Sequence, residues 1–113
     1  TDWVIEQIIF ESELFMEKHH RLPIIGCFGL TFKPNIDDLR ESPALRIVNE
    51  LSKKNMKLLI CEPNLNEHRS FKLYSTDFVL DNCDFSVFLV KHNLFQNLKL
   101  VDKKVLDFCG IYN

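Results

Sequence analysis

Continuous apolar runs that alternate with helical patterns constrain the fold of this 113-residue chain more than any other feature. The clearest runs cover residues 22–28, 57–62 and 85–90. A short apolar run without regular polar alternation indicates a strand that is buried on both of its faces. Because a helical pattern separates successive runs, the strands are predicted to lie parallel, with helices as their crossover connections. We therefore expect an α/β domain built around a parallel sheet.

The helices and strands are predicted from apolar periodicity together with capping and turn residues. In chain order they are helix 3–20, strand 22–28, helix 43–55, strand 57–62, an extended piece at 71–74, helix 76–83, strand 85–90, one or two helical turns at 93–98 and strand 105–108. Ser42 can cap the second helix, and Pro43 suits its first position. The first helix has two adjoining apolar faces, so we expect contacts on more than one side. The predicted fold is a Rossmann-like, doubly wound parallel sheet in three layers (α/β/α), preceded by one helix.

The composition argues against two classes of partner. The chain has 14 basic and 16 acidic residues, with a net charge of −2, and they form no basic stripe. A nucleic-acid partner is therefore not expected. No apolar run approaches the roughly 20 residues of a membrane-spanning helix, so a membrane partner is not expected either.

The four cysteines have no spacing that is typical of a metal site. Neither CxxC nor HxxxH occurs, so we predict that no metal is bound. Three cysteines lie in or beside predicted strands, and Cys83 lies at the end of a predicted helix, so we expect inert thiols in the core. Free thiols suit a reducing compartment, which predicts a cytoplasmic location.

The segment 29–41, which follows the first predicted strand, is the first candidate site. It is longer than the roughly two to six residues usual for such a connection, and it lies at the sheet edge where doubly wound domains bind ligands. Lys33 and Arg40 suit phosphate oxygens, and the segment leads into a helix N-terminus, which favours anions. The alternative is that both are solvated charges paired with acidic neighbours in the same segment. Those neighbours are Asp37, Asp38 and Glu41.

The glycines do not form the GxGxxG turn of a dinucleotide-binding domain. The chain contains only Gly26, Gly29 and Gly110. This domain is therefore not expected to hold NAD by itself. Glu62 ends the second strand, where the acid of such domains meets a ribose, but without the glycine turn a surface or structural carboxylate is the favoured interpretation.

The histidines give weaker signals. His92 follows the apolar run 85–90 and so lies at the ligand edge, although capping of the next turn is the favoured role. His19 and His20 are predicted to end the first helix, where a cation suits the helix dipole.

Residues 29–45 read GLTFKPNIDDLRESPAL, and this segment resembles the signature of the UDP-glucose/GDP-mannose dehydrogenase family. The matching part of the family is its C-terminal, UDP-binding domain. The Phe-Lys-Pro-Asn element is more similar to the UDP-N-acetyl-D-mannosamine dehydrogenases of that family than to its UDP-glucose dehydrogenases. The order of strands and the turn at Glu62 and Pro63 extend the resemblance, more loosely, over nearly the whole chain.

The resemblance implies an NAD-dependent UDP-sugar 6-dehydrogenase that makes precursors of bacterial surface polysaccharides. Such enzymes oxidise the sugar C6 alcohol to a carboxylate, through a cysteine thiohemiacetal and thioester, and reduce two NAD. Phe32 and Lys33 match the pair that contacts the UDP-sugar in family members. Arg40 matches the arginine that reaches NAD. The resemblance also implies that the full-length protein is a homodimer.

Several parts of the family pattern have no counterpart in this sequence. The GxGxxG domain and the catalytic-cysteine loop are missing, and the chain does not begin with Met, so we expect a piece of a longer protein. Residues 1–20 resemble the helix that joins from the central segment, and residues 21–113 resemble the UDP-binding domain. None of the four cysteines has a matching context, so no catalytic residue is assigned. Cys109 stands two residues after Asp107, where many members carry a basic residue that touches substrate; either that contact is missing or another group supplies it.

Two other functions stay open. Within the family, the enzyme could oxidise UDP-N-acetylglucosamine or UDP-glucose instead. In a different class, the chain could be a non-catalytic nucleotide-binding or regulatory module. The 113-residue chain alone is expected to fold without catalysing, because the NAD turn and the nucleophile are both missing.

Overall fold

The computed structural model describes residues 1–31, 42–98, 100 and 103–112. The helices are α1 (Asp2–His19), α2 (Pro43–Lys53) and α3 (Thr76–Asn82), with a 3₁₀ helix at Asn93–Asn97, and the strands are β1 (Ile24–Phe28), β2 (Lys57–Cys61), β3 (Phe85–Phe88) and β4 (Lys104–Asp107). No helix in the described part of the chain is long and apolar enough to cross a bilayer.

Within the described residues, the sheet has four strands in the order β2-β1-β3-β4, and all three strand pairs are parallel. From β1 the chain first adds β2 on one side and then returns to add β3 on the other side of β1. The point where the direction of winding reverses is therefore the crevice between the carboxyl ends of β1 and β3. The predicted doubly wound parallel sheet is confirmed.

Helices cover the sheet on both faces, because alternate strand residues point to opposite sides. On one side, Cys27 and Val87 share a core with apolar residues of α1 and α2. On the other, Phe28 and Phe88 stack with ring centroids 4.5 Å apart and share a second core with Val79 of α3. The predicted three layers follow from these two cores.

The helix starts and ends follow the predicted signals closely. Ser42 caps α2, its side chain accepting a hydrogen bond of 3.2 Å from the Leu45 N–H, and Pro43 occupies the first helical position. At the end of α1, His20 adopts a left-handed conformation with φ of 56°. Its N–H donates to the Met16 carbonyl, which closes the helix.

Helix α1 is contacted on both predicted apolar faces in its first half, and beyond it Ser12 is also buried. Ile5 and Ile8, one from each face, are buried in the core of α1, α2 and the sheet. Met16, near the end of the helix, is 38% exposed. The expected contact on more than one side therefore holds as far as Ile9, which packs against the same core.

Several predicted extended segments are longer than the observed ones, beginning with β1, which starts at Ile24 rather than at residue 22. β3 ends at Phe88, although the Leu89 N–H still donates to the Phe28 carbonyl at 3.0 Å. The extended piece at 71–74 forms only an isolated parallel bridge between Leu73 and Ile60. Both segments pack by their apolar side chains, which is the signal that sequence patterns detect, without completing a ladder of hydrogen bonds.

Candidate functional site

The predicted contact residues Phe32, Lys33 and Arg40 lie outside the described residues, so their roles stay predictions. The residues on either side of that segment are described. Thr31, directly before it, is fully buried. Ser42, directly after it, is also buried, and its hydroxyl donates to the Leu30 carbonyl. The two ends of the segment are thus joined at the carboxyl end of β1.

Glu62, directly after β2, joins the ends of neighbouring strands through one carboxylate. Its Oε1 accepts from the N–H of Leu30 at 2.8 Å and of Thr31 at 3.1 Å, both after β1. The same oxygen lies 2.9 Å from His92 Nε2, beyond β3. Its Oε2 accepts from the Asn64 N–H at 2.9 Å. A single side chain thereby fixes the backbone that leaves β1 and β2 and contacts a side chain that follows β3.

The position of Glu62 decides between its two predicted roles. Its side chain is fully buried, and that of His92 is 1% exposed. Burial acts to raise the pKa of the Glu62 carboxyl, but hydrogen bonds from His92 and from the N–H groups of Leu30, Asn64 and Thr31 outweigh that effect and lower the pKa. The residue is therefore an ionised structural carboxylate, as the favoured interpretation had it.

The favoured role for His92, capping of the next turn, is wrong for its side chain. His92 does occupy the N-cap position of the 3₁₀ helix, but the side chain makes no capping hydrogen bond. The ring instead turns inward to Glu62, with Nε2 also 3.1 Å from Thr31 Oγ1. The Asn64 amide nitrogen lies 3.5 Å from the other ring nitrogen, Nδ1, so both nitrogens of the ring have polar neighbours. A buried carboxylate attracts a ring N–H more strongly than an exposed turn does.

The crevice between β1 and β3 is filled by the chain itself. Gly29 has a φ of 106°, and a Cβ added there would lie 2.7 Å from the Val90 Cβ. Two residues further along each chain segment, the Thr31 hydroxyl and the His92 ring lie 3.1 Å apart. Every buried side-chain nitrogen and oxygen in the described part of the chain has a hydrogen-bond partner. The network is therefore complete in itself.

The described residues at this edge form no metal centre. Among residues 1–31, 42–98, 100 and 103–112, no group of three or more His, Cys, Asp or Glu side chains is arranged to hold a metal ion. The carboxylate of Glu62 is instead satisfied by N–H donors.

Two open clefts flank the filled crevice. One, of about 380 Å³, lies between the start of α2 and the ends of β3 and β4, and it is lined by Thr31, Ala44, Val90, Lys91 and Cys109 among others. The other, of about 250 Å³, lies beside the end of β2. Thr31 lines the first cleft and directly precedes the segment that contains the predicted nucleotide contacts.

The chain that follows β4 folds around a second carboxylate. Asp107 accepts from the N–H groups of Gly110 at 2.9 Å, Ile111 at 3.1 Å and Tyr112 at 2.9 Å. Burial opposes ionisation of Asp107, but these backbone hydrogen bonds outweigh it and lower the pKa of the carboxyl. They hold Cys109 in place at the wall of the larger cleft.

The cysteines have the properties of inert thiols. All four are free; Cys27, Cys61 and Cys83 are buried as predicted, whereas Cys109 is half-buried. Burial raises the pKa of Cys27 to about 12 and of Cys61 to about 11. For Cys109, burial together with the neighbouring Asp107 carboxylate raises the pKa to about 12. A thiol that stays protonated at neutral pH is a poor nucleophile.

A parallel sheet in the order β2-β1-β3-β4, with its winding reversed at β1 and a buried polar network at its carboxyl edge, defines a Rossmann-like type of domain. The profile of the UDP-glucose/GDP-mannose dehydrogenase family, UDP binding domain, matches residues 26–113. The chain belongs to this family, and it corresponds to the UDP-binding domain. The expected boundary at residues 20 and 21 stays a prediction.

Relatives from bacteria give the same assignment. The UDP-N-acetyl-D-mannosamine dehydrogenase of Campylobacter jejuni is 42% identical over 95 residues, which cover 77% of this chain and 23% of that protein. The NDP-N-acetyl-D-galactosaminuronic acid dehydrogenase of Ralstonia solanacearum is 36% identical over 119 residues, which cover 98% of this chain and 27% of that protein. The chain thus spans roughly a quarter of the length of these relatives.

Solved structures agree on the fold. The GDP-mannose dehydrogenase of Pseudomonas aeruginosa is 28% identical with a TM-score of 0.71, over 86% of this chain and 27% of that one. The UDP-N-acetyl-mannosamine dehydrogenase of Staphylococcus aureus superimposes with a TM-score of 0.73 at 21% identity, over 95% of this chain and 27% of that one. At that identity the second likeness shows the fold alone.

Sequence reasoning found Glu62 and His92 separately and missed that they form a pair. The two residues are 30 positions apart, and neither neighbourhood is a recognisable motif. A usable signal existed, because both follow predicted parallel strands, whose carboxyl ends share one edge. Thr31 and Asn64 carried no signal of their own.

Proposed function

We propose that this chain supplies the UDP-binding domain of an NAD-dependent UDP-N-acetyl-D-mannosamine 6-dehydrogenase. The observation that carries the proposal is the 42% identity to the Campylobacter jejuni enzyme of that name. The complete enzyme would oxidise the C6 alcohol of the UDP-sugar to a carboxylate, with two NAD reduced, in the synthesis of surface polysaccharide precursors. The wider proposal includes a cytoplasmic location and a homodimeric full-length protein.

The contribution of this chain would be binding. Phe32 and Lys33 would contact the UDP-sugar directly beyond Thr31, beside the cleft of about 380 Å³ at the ends of β1, β3 and β4. A lysine supplies a mobile positive charge for diphosphate oxygens. The carboxylates of Glu62 and Asp107 accept hydrogen bonds from backbone N–H groups, whose dipoles offset part of the negative charge that would repel a diphosphate.

The described residues at the end of β1 do not fit NAD as a complete site. A dinucleotide needs a glycine turn at the end of β1, so that the pyrophosphate can approach the backbone. Here Gly29 is followed by the buried side chains of Leu30 and Thr31, and Gly29 already packs on Val90. NAD would therefore be held mainly by another part of the enzyme, with Arg40 of this chain reaching its pyrophosphate.

The second candidate substrate is UDP-N-acetylgalactosamine, and one observation favours it. The Ralstonia relative named for an NDP-N-acetyl-D-galactosaminuronic acid matches 98% of this chain. The two candidates differ in the sugar, and most sugar contacts would come from the rest of the enzyme.

NADH formation by the full-length protein tests the proposal, with a panel of UDP-N-acetylmannosamine, UDP-N-acetylgalactosamine, UDP-N-acetylglucosamine, UDP-glucose and GDP-mannose. We expect the highest kcat/KM for UDP-N-acetylmannosamine and no turnover by the 113-residue chain alone. The highest value for another UDP-sugar would correct the substrate. No NADH from any sugar nucleotide would favour a non-catalytic nucleotide-binding module, and steady NADH production by the chain alone would contradict the assignment as a binding domain.

A further inference from the structure

The Glu62 network concentrates on the two residues that lead into the proposed UDP contacts. The N–H groups of Leu30 and Thr31 both donate to Glu62 Oε1, and the Thr31 side chain contacts His92. The Leu30 carbonyl accepts from Ser42, which begins the chain again after the segment 32–41. The backbone course at Leu30 and Thr31 is therefore set by buried partners, Glu62 and His92, which follow β2 and β3.

The network also closes the position where doubly wound domains usually admit a ligand. Thr31 and His92 meet above the crevice between β1 and β3, and both are essentially inaccessible. A nucleotide at this edge would therefore be bound by residues that follow Thr31 in the sequence. The exact position of the Thr31 backbone then matters more for binding than it does in a domain whose glycine turn contacts the ligand directly.

We propose that Glu62 and His92 are positioning residues for nucleotide binding, which fix the exit of the chain from β1 so that the UDP contacts begin in the correct direction. The inference rests on the proposed UDP-binding function. Neither residue touches the nucleotide in this account, because both side chains are buried behind Thr31. Their effect reaches the ligand only through the backbone of Leu30 and Thr31.

The hydrogen-bond chemistry gives a test by conservative replacement. Glutamine places its side-chain nitrogen as many bonds from the backbone as Nε2 of histidine, so His92→Gln can still donate to Glu62. His92→Leu fills similar space without a donor and leaves the buried carboxylate one partner short. A role in packing alone would be restored by leucine at least as well as by glutamine.

UDP affinity of the 113-residue chain, measured by NMR titration together with Tm, is the experiment. We expect His92→Leu to raise the Kd for UDP about tenfold, and His92→Gln to keep it within about threefold of the unsubstituted chain. Val79→Ala is the matched control, since Val79, in α3, is buried against Gly26 of β1, away from the carboxyl edge. It should lower the Tm while leaving the Kd within about twofold.

The outcomes separate the two proposals. Absence of UDP-dependent shifts in the unsubstituted chain would overturn the proposed UDP-binding function. If that chain binds UDP and His92→Leu binds equally well, or if Val79→Ala weakens binding as much, the positioning role is overturned while UDP binding stands. Should His92→Leu fail to fold, Thr31→Val decides, because it removes the hydroxyl contact with His92 and keeps the backbone N–H. A Kd raised about threefold then supports positioning, and an unchanged Kd overturns it.

Discussion

Two acid–base pairs at opposite edges of the sheet have the same length and opposite surroundings. At the amino edge, Arg21 and Asp84 lie 2.9 Å apart, with side chains 53% and 18% exposed. At the carboxyl edge, Glu62 and His92 also lie 2.9 Å apart, with side chains that are almost completely buried. Distance therefore does not distinguish the two pairs; access of water does.

The amino-edge pair joins two segments of the chain that are distant in sequence. Arg21 bonds to both carboxylate oxygens of Asp84, and Asp84 Oδ2 also accepts from the Ile24 N–H at 2.7 Å. It tethers the chain before β1 to the chain before β3. Water and salt weaken such a pair. If one partner is removed, water can solvate the charged group that remains.

At the carboxyl edge, water has little access and does not readily replace a lost partner. Removing Glu62 would leave the N–H groups of Leu30, Thr31 and Asn64 without this acceptor in a buried site. The comparison indicates that the domain uses exposed ion pairs for tethering and buried ones to define the shape of the ligand edge.

The largest expected effect is that of Glu62→Ala. We expect the free energy of unfolding to fall by about 3–5 kcal/mol, because removing one partner of a buried network leaves unpaired polar groups. Urea denaturation measures the loss. A loss below about 1 kcal/mol would show that the network is replaced by water and would remove the contrast between the two edges.

Gly29→Ala tests how tightly the carboxyl edge is packed. We expect a loss of about 2–4 kcal/mol, from the positive φ and from the approach of Val90 to 2.7 Å. Gly110→Ala is the matched control, since Gly110 has a φ of 78° but nothing within 4 Å of the added Cβ, and it should cost about 1–2 kcal/mol. Equal losses in urea denaturation would mean that the contact with Val90 relaxes freely.

Acid should weaken the domain in part through Glu62. Its folded pKa is lowered, so the stability it contributes is complete above the unfolded pKa of about 4.3 and is lost as the pH falls through the folded pKa. Asp84, whose pKa Arg21 lowers, and Asp107 act in the same direction. Glu62→Gln should therefore lose less stability on acidification below about pH 4.3 than the unsubstituted chain, yet still lose some. Denaturation at pH 3 and 6 measures both losses, and equal losses would contradict the shift at Glu62.

Arg21→Ala should have the smallest effect of the set. Its guanidinium is exposed, so we expect only a slight decrease in Tm, and one that shrinks further in 1 M salt. Thermal unfolding at low and high salt measures it. A decrease as large as that of Glu62→Ala would show that the amino edge is the more important of the two.

The fold could be predicted because its signals are local. Apolar runs gave the four strands, and Ser42 with Pro43 gave the start of α2. The end of β3 could not be predicted, since residues 89–90 stay apolar after the ladder ends at Phe88.

The site could be predicted only in part. The sequence identified the right edge, but the pairing of Glu62 with His92 depends on the three-dimensional register of strand ends. The sequence favours a capping role for His92 because caps depend on neighbouring residues, whereas its actual partner, Glu62, is 30 positions away. The predicted contacts Phe32, Lys33 and Arg40 came from a family signature, and their geometry lies outside the described residues.

The most direct measurement of the central claim, that nucleotide binding depends on the residues following β1, is the KM of two variants of the full-length enzyme for both substrates. We expect Lys33→Ala to raise the KM for the UDP-sugar by about tenfold or more, and Arg40→Ala to raise the KM for NAD similarly. Arg40→Lys should restore only part of the loss, because an ammonium group lacks the planar fork of a guanidinium. Unchanged thermal unfolding excludes a folding defect. If each variant leaves both KM values within about twofold, both residues are surface charges and the account is contradicted. Equal effects of both variants on both substrates would contradict the division between them.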